Sequence, residues 1–152
     1  MSDYCVCCGE YVPEGRMVCP NCEKKANQKP IQFTIYGNPI TKKNSQRIVM
    51  VRGRPIIMPS KAYKDYEKQC KFQIPALGIS TPVSVRVKYY RATRHRVDLT
   101  NLLEATDDCL VAYGCLTDDD SRVIHDHDGS RVFFDKENPR AEITIYKLQE
   151  DM

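Results

Sequence analysis

The segment "VDLTNLLEATDDCLVAYGCLTDDDSRV", residues 97–123, decides how the main part of this chain is organised. Its apolar residues recur at steps of three and four, which predicts an amphipathic helix with a wide apolar stripe. Asp98 precedes the first residue of that pattern and is a typical N-cap, and Gly114 is a typical end signal. The predicted helix leads into three consecutive carboxylates, Asp118, Asp119 and Asp120.

The polar side of this predicted helix carries a line of oxygen ligands. Asn101, Glu104 and Asp108 are spaced by three and four residues, with Asp98 at the head of the line. If the acidic loop folds back along the helix, several carboxylates surround one volume, and like charges about 5 Å apart repel by roughly 3 kcal/mol. A hard cation such as Mg²⁺ removes that cost, makes bound water more acidic and can share phosphate oxygens. A solvated helix face and an exposed turn are the alternative.

Charge is distributed unevenly along a chain whose formal net charge is +3. Residues 31–96 contain fourteen Lys and Arg against two acidic residues, whereas residues 97–152 contain five against fourteen. A basic half joined to an acidic half suits a protein that meets a polyanion while it holds a cation. A surface that neutralises itself on folding is the alternative. The side chains expected to contact phosphates include Lys42, Lys43, Asn44, Arg47, Arg94 and Arg96.

Five of the eight cysteines lie near the start of the chain. Cys5-x2-Cys8 and Cys19-x2-Cys22 are separated by ten residues, and together they supply the four thiolates that tetrahedral Zn²⁺ prefers. Cys7 is a further candidate that could replace Cys5 or Cys8. Four cysteine ligands leave no open position, so we expect a structural zinc that stabilises a small ribbon. Disulfides are the alternative, although a cytosolic protein would not keep them.

The rest of the sequence predicts an α+β fold in which a mixed β-sheet and two main helices follow the ribbon. We expect a zinc ribbon at residues 1–23, a polar linker at residues 24–30 and the main domain at residues 31–149. The sequence has neither a stretch of about 20 apolar residues nor an apolar signal-peptide core. We therefore expect a soluble, cytoplasmic protein with no membrane partner and no small-molecule substrate.

Alternation and turn residues place the remaining elements. "IQFTIY", "PVSVRVKYY" and "AEITIYKL" alternate as strands do, and "RIVMVRGRPIIM" predicts a β-hairpin. Ser60 is expected to cap a helix. "SRVIH" and "SRVFF" are expected to form a second hairpin with an Asp128-Gly129 turn. His125 and His127 flank that turn and are interpreted as exposed side chains rather than metal ligands.

The order of residues in "VDLTNLLEATDDCL" and "TDDDSRV" resembles the RusA family of Holliday junction resolvases. In that family Asp-x-Asp-Asn opens a helix, an Asp follows seven residues after the Asn, and an Asp-Asp pair lies beyond the helix. "FTIYGNPITKKNSQR" looks like the family's opening strand and basic loop, and "DGSRVFFDKENPRAEITI" is similar to the closing strands of phage and prophage members. The resemblance covers about residues 31–149 and leaves the ribbon outside.

This resemblance implies a Mg²⁺-dependent endonuclease of DNA recombination and repair, which acts as a homodimer and resolves four-way junctions by paired phosphodiester hydrolysis. Asp119 best matches the essential aspartate of the later pair, and one inserted residue would move that role to Asp120. Asn101 matches the motif asparagine and joins the expected DNA contacts. The implied catalytic carboxylates are Asp98, Glu104, Asp108, Asp118, Asp119 and Asp120. The implied Mg²⁺ ligands are Asp98, Glu104, Asp108 and Asp119.

Two positions depart from the family's pattern. Thr100 stands where the family has its second motif aspartate, and Glu104 stands where the family has a lysine. We therefore expect Glu104 to supply the carboxylate that Thr100 lacks. We expect Arg94 or Arg96 to supply the positive charge of the missing lysine. A non-catalytic DNA-binding module, with a zinc ribbon and a degenerate acidic site, is the alternative that these departures favour.

Overall fold

The computed structural model describes residues 3–27, 29–42 and 46–148. Lys43 and Asn44, two of the expected phosphate contacts, lie outside the described residues, as does the end of the expected main domain at residue 149. The elements in chain order are β1 (Asp3–Tyr4), β2 (Tyr11–Val12), α1 (Pro20–Asn27), β3 (Ile31–Tyr36), β4 (Gln46–Val51), β5 (Arg54–Pro59), α2 (Lys61–Lys71), β6 (Val83–Arg91), α3 (Leu99–Ala112), β7 (Ile124–Asp126), β8 (Arg131–Phe134) and β9 (Arg140–Lys147).

Residues 3–27 form a small unit around the cysteines. Strands β1 and β2 pair antiparallel. The buried residues of this unit are Cys5, Val12 and Cys19. Helix α1 begins directly after Cys19 and continues to Asn27, inside the segment expected to be a linker. A core of this size supplies little folding free energy by itself.

The main sheet has the strand order β3-β9-β6-β7, with β8 also paired to β6. Strand β9 is antiparallel to both β3 and β6, and its buried residues alternate with half-buried ones as a one-sided sheet requires. Strands β7 and β8 are parallel to β6, so the sheet is mixed. The predicted α+β class with a mixed sheet is therefore confirmed.

The second predicted hairpin is wrong. Strands β7 and β8 do not pair with each other, because both lie along the same edge of β6 and run parallel to it. The turn at Asp128 and Gly129 carries the chain out and back between them, and Ser130 Oγ accepts a hydrogen bond from Val87 N at 3.0 Å. Both segments pair with the same free edge of β6. The Asp-Gly turn therefore lies between two strands that run in the same direction, and it does not reverse the chain into a hairpin.

Two helices complete the core, and both of their predicted starts are observed. Ser60 caps α2, since its Oγ accepts a hydrogen bond from Tyr63 N at 3.1 Å. Asp98 occupies the N-cap position of α3, which buries the predicted apolar stripe. The core contains residues of β3, β6, β9, α2 and α3. Helix α3 thus packs on the sheet through its apolar side, and its polar side, which carries the predicted carboxylates, faces away from the core.

The first predicted hairpin is confirmed as β4 and β5, which pair antiparallel with Val51 opposite Arg54. Arg52 and Gly53 both have positive φ, at 51° and 75°, as a tight hairpin turn requires. Ile48 on this hairpin is 73% exposed. Within the described ranges, no helix is both long and apolar enough to cross a membrane.

Candidate metal centres

The acidic loop after α3 acts electrostatically on the polar side of that helix. Glu104 precedes Asp107 by three residues and Asp108 by four, so these carboxylates occupy adjoining turns. Burial raises the pKa of Asp108; among its charged neighbours Lys42 lowers that pKa, and Asp119, Glu104 and Asp107 raise it. Asp119 therefore lies within electrostatic reach of the helix carboxylates. We call Glu104, Asp107, Asp108 and Asp119 the acidic face.

The other two aspartates of the loop make contacts within the loop itself. Asp120 accepts hydrogen bonds from Arg122 N at 2.9 Å and from Arg122 Nε at 3.0 Å, and the Arg122 guanidinium lowers the pKa of Asp120. Asp118 Oδ1 accepts a hydrogen bond from Asp119 N at 2.7 Å. Both carboxylates thus stabilise the loop conformation, and Asp119 is the one whose charge acts on α3.

Asp98 lies at the opposite end of the helix from Asp108. Its Oδ2 accepts a hydrogen bond from Asn101 Nδ2 at 3.3 Å, which links the first two members of the predicted line. The ten residues from Asp98 to Asp108 correspond to about 15 Å along the helix axis. One ion cannot contact both side chains at that separation, whereas Glu104 is within two turns of each.

The basic loop after β3 adjoins the acidic face through Lys42, whose charge acts on Asp108. This loop is fixed to the end of β6 at two points. Asn38 Oδ1 accepts a hydrogen bond from Ala92 N at 2.8 Å, and Arg91 Nε donates to the Pro39 carbonyl at 3.3 Å. A cation suited to phosphate is therefore held beside the carboxylates.

The remaining expected DNA contacts that the structure describes on the connection after β6 and on β4 are exposed. Arg94 and Arg96 are exposed in the connection between β6 and the head of α3, and the Arg94 guanidinium lies 4.2 Å from the centre of the Phe134 ring. Arg47 is exposed on β4. Exposed guanidinium groups at these positions are available to phosphate oxygens.

Sequence reasoning missed Asp107 and misjudged His127. His127 is half-buried, with 23% of its side chain exposed, so the expectation of an exposed side chain is wrong for this residue, whereas His125 is exposed. The Nε2 of His127 lies 2.9 Å from Asp107 Oδ2, and its Nδ1 lies 2.9 Å from the Val85 carbonyl oxygen. Asp107 and His127 are 20 residues apart, and no local pattern in the sequence connects them.

The cysteine unit has the geometry of a metal centre. Its four candidate ligand atoms, those of Cys5, Cys8, Cys19 and Cys22, lie within 4.8 Å of one another. Backbone N–H groups of Cys19, Cys8 and Cys7 lower the pKa of Cys5 to about 6, whereas contact with the neighbouring thiol of Cys19 raises the pKa of Cys22. Cys7 is exposed and is not one of the four.

The acidic face is more open than the cysteine centre. Across residues 3–27, 29–42 and 46–148, the cysteines are the only group of three or more potential ligands that meets the 4.8 Å spacing. Carboxylate oxygens at wider spacing suit Mg²⁺, which keeps several of its waters and needs only one or two protein carboxylates. The donor chemistry therefore separates the two centres, with sulfur ligands in one and oxygen ligands in the other.

Comparison with protein families agrees with this division. A family model described as Endodeoxyribonuclease RusA matches residues 37–146, which are 110 of the 152 residues. The main domain is thus that of a DNA-cleaving hydrolase. The chain belongs to the RusA family of endodeoxyribonucleases, and the cysteine unit lies outside the matched region. Comparison with curated proteins gives no significant match.

Proposed function

We propose that this endonuclease is Mg²⁺-dependent and resolves four-way DNA junctions by paired phosphodiester hydrolysis. The observation that carries the proposal is that the charges of Asp119 in the loop and of Lys42 both act on the partly buried carboxylate of Asp108 on α3. Such an arrangement supplies oxygen ligands for a hard cation and a positive charge for a phosphate. Family membership supplies the reaction class, and the site supplies the groups that the reaction needs.

The proposed Mg²⁺ ligands are Asp98, Glu104, Asp108 and Asp119. A divalent ion bound there would polarise a phosphodiester oxygen and make a nearby water more acidic. Asp119, Glu104 and Asp108 form one end of this set. Because one ion cannot contact both Asp98 and Asp108, Asp98 is proposed as a ligand in place of Asp108, together with Glu104 or Asp119.

The basic side chains position the substrate. Lys42 neutralises a phosphate oxygen next to the acidic face, and Arg94 and Arg96 contact flanking phosphates at the head of α3. Further contacts come from Lys43, Asn44, Arg47 and Asn101. Phosphate contacts set the register of DNA without reading its bases, which suits an enzyme that selects a junction by its shape.

A four-way junction has twofold symmetry and needs two symmetric cuts, so we propose that the enzyme acts as a homodimer. Each protomer would contribute one acidic face. The four-cysteine unit is proposed to hold a structural Zn²⁺, since four cysteine ligands leave no position for a substrate.

The test compares a synthetic four-way junction with a linear duplex of the same sequence, each with Mg²⁺ and with EDTA. We expect paired nicks in the junction only, and only with Mg²⁺. Equal cleavage of both substrates would restrict the activity to that of a general nuclease.

One observation favours a second function, that of a DNA-binding module. Thr100 and Glu104 replace the aspartate and the lysine of the family's motif. Junction binding without nicking, under Mg²⁺ or Mn²⁺, would select this alternative.

A further inference from the structure

The β4–β5 hairpin carries an exposed apolar face. Residues directly opposite each other in an antiparallel pair lie on the same face, and the register places Ile48 opposite Ile57 and Met50 opposite Pro55. Alternation along β4 puts both pairs on one side of the hairpin. All four side chains are exposed, with Met50 at 64% and Ile57 at 67%. We call Ile48, Met50, Pro55 and Ile57 the hairpin face.

The hairpin also stands apart from the main core. Among the described residues, neither the core cluster nor the partly buried side chains packed against it include a residue of β4 or β5. A two-stranded hairpin without such support is only marginally stable in water. Contiguous apolar surface exposed on an element of this kind is typical of a surface that binds a partner.

The charge of the hairpin indicates the class of partner. Residues 46–59 contain three arginines, Arg47, Arg52 and Arg54, and no acidic residue. Arg52 lies in the turn and Arg54 begins β5, so two of the three positive charges are at the tip. All three side chains are exposed. A polyanion complements this charge, whereas a second copy of the hairpin would bring like charges together.

The size of the hairpin face also favours a nucleic acid over a protein. Four side chains of this size present roughly 250–500 Å² of apolar surface. Each partner of a specific protein complex buries about 800 Å², which is more than this face provides. A DNA-binding arm needs no such area, because apolar side chains such as Ile, Met and Pro act there as wedges between base steps.

The hairpin begins close to the proposed phosphate site. Gln46, the first residue of β4, follows Lys42 by four residues, so their Cα atoms are no more than about 14 Å apart. Strands of six residues place the tip about 20 Å from the base of the hairpin. The major groove of DNA admits a two-stranded ribbon of this kind. DNA held at Lys42 is therefore within reach of the hairpin.

We propose that the β4–β5 hairpin is a DNA-binding arm that places the hairpin face against bases at the branch point of the junction, while its arginines contact flanking phosphates. This inference rests on the proposed function, and it adds apolar contacts with bases to the phosphate contacts described above. In an open junction the helical stack is interrupted at the branch point, so the arm avoids the unstacking cost that it meets in a continuous duplex. The arm thus favours a junction over a linear duplex.

The test binds the full-length protein, without added Mg²⁺, to a four-way junction with 2-aminopurine at the branch point and to a linear duplex. We expect wild-type binding to raise the 2-aminopurine fluorescence, because insertion unstacks that base. Met50→Thr combined with Ile57→Thr should abolish the rise and weaken junction binding about 10-fold, with duplex binding changed less than about twofold. Threonine retains a high strand propensity, so the hairpin is preserved.

Phe72→Thr is the matched control, because it replaces an apolar side chain that is 87% exposed outside the hairpin. It should leave junction affinity and the fluorescence rise unchanged. Arg54→Gln should reduce the slope of log affinity against log salt by about 0.9. Normal junction binding and a normal fluorescence rise in the combined Met50→Thr and Ile57→Thr protein would overturn the proposed arm.

These outcomes are separable from the proposed function. If the combined substitutions convert a wild-type dimer into a monomer in sedimentation, the hairpin face binds a second copy and the arm is excluded. If the wild-type protein cuts the junction but causes no fluorescence rise, the arm is likewise excluded and the nuclease stands. If the wild-type protein neither prefers nor cuts the junction, the proposed function fails and the inference fails with it.

Discussion

The Tyr89 hydroxyl donates a hydrogen bond to Thr106 Oγ1 at 2.6 Å and joins β6 to α3 inside the core. Tyr89 is the donor because the single Thr106 hydroxyl proton is directed to the Leu102 carbonyl, at 3.0 Å. Tyr89 and Thr106 are only 1% and 7% exposed. This contact lies one residue before Asp107 and fixes the position of the acidic face relative to the sheet.

The two ends of this hydrogen bond should differ in their effect on stability. Tyr89→Phe leaves Thr106 bonded to Leu102, and we expect it to lower the free energy of unfolding by about 1 kcal/mol. Thr106→Val leaves the buried Tyr89 hydroxyl without an acceptor, at a cost of about 1–3 kcal/mol. Urea denaturation measures both values, and a larger loss for Tyr89→Phe would contradict the assigned donor.

Asp119→Asn is expected to lower junction cleavage at least about 100-fold, since it removes a proposed metal ligand. Junction affinity should be retained, because the substitution removes a negative charge from a DNA-facing surface. Asp120→Asn should lower cleavage less, since Asp120 is paired with Arg122. Gel assays of cutting and binding measure both effects. Normal cutting by Asp119→Asn together with loss in Asp120→Asn would move the essential role to Asp120.

Comparison of Cys5→Ser with Cys7→Ser should distinguish a cysteine that binds zinc from a neighbouring cysteine that does not. Cys5 is a member of the four-cysteine group, so its replacement is expected to release the proposed zinc and to unfold the unit at residues 3–27. Cys7→Ser should retain a full equivalent of zinc. Elemental analysis of the purified proteins measures the zinc, and calorimetry shows whether the main domain still melts cooperatively. Zinc loss in Cys7→Ser would place Cys7 among the ligands.

Lys42→Ala tests the phosphate contact beside the acidic face. One lost contact is expected to weaken junction binding and to reduce the slope of log affinity against log salt by about 0.9. Lys71→Ala, at the exposed end of α2, is the matched control and should leave the slope unchanged. Fluorescence anisotropy at several salt concentrations gives both slopes. An unchanged slope for Lys42→Ala would remove this residue from the DNA interface.

Several elements were predictable because their causes are local. The apolar period of α3, the N-cap at Ser60 and the alternation of β3 depend on residues no more than four positions apart. The cysteine knuckles are local in the same sense, since each pair spans four residues. Such features survive any arrangement of the rest of the chain.

The second hairpin failed for the opposite reason. An Asp-Gly turn allows a reversal but does not choose a strand's partner. The partner of β7 and β8 is β6, about 40 residues earlier, and its free edge decided the pairing. The residues of β7 and β8 alone do not indicate that the edge of β6 is free to pair with them.

The amino-acid sequence by itself determined the helix that carries the carboxylates, the acidic loop beyond it and the four clustered thiols, because periodicity and spacing act over a few residues. Only the tertiary structure decided that the charge of Asp119 acts on Asp108 of α3. It also decided that Asp107 meets His127 across 20 residues. Those contacts follow from how α3 packs on β6, and packing is settled by the whole core at once.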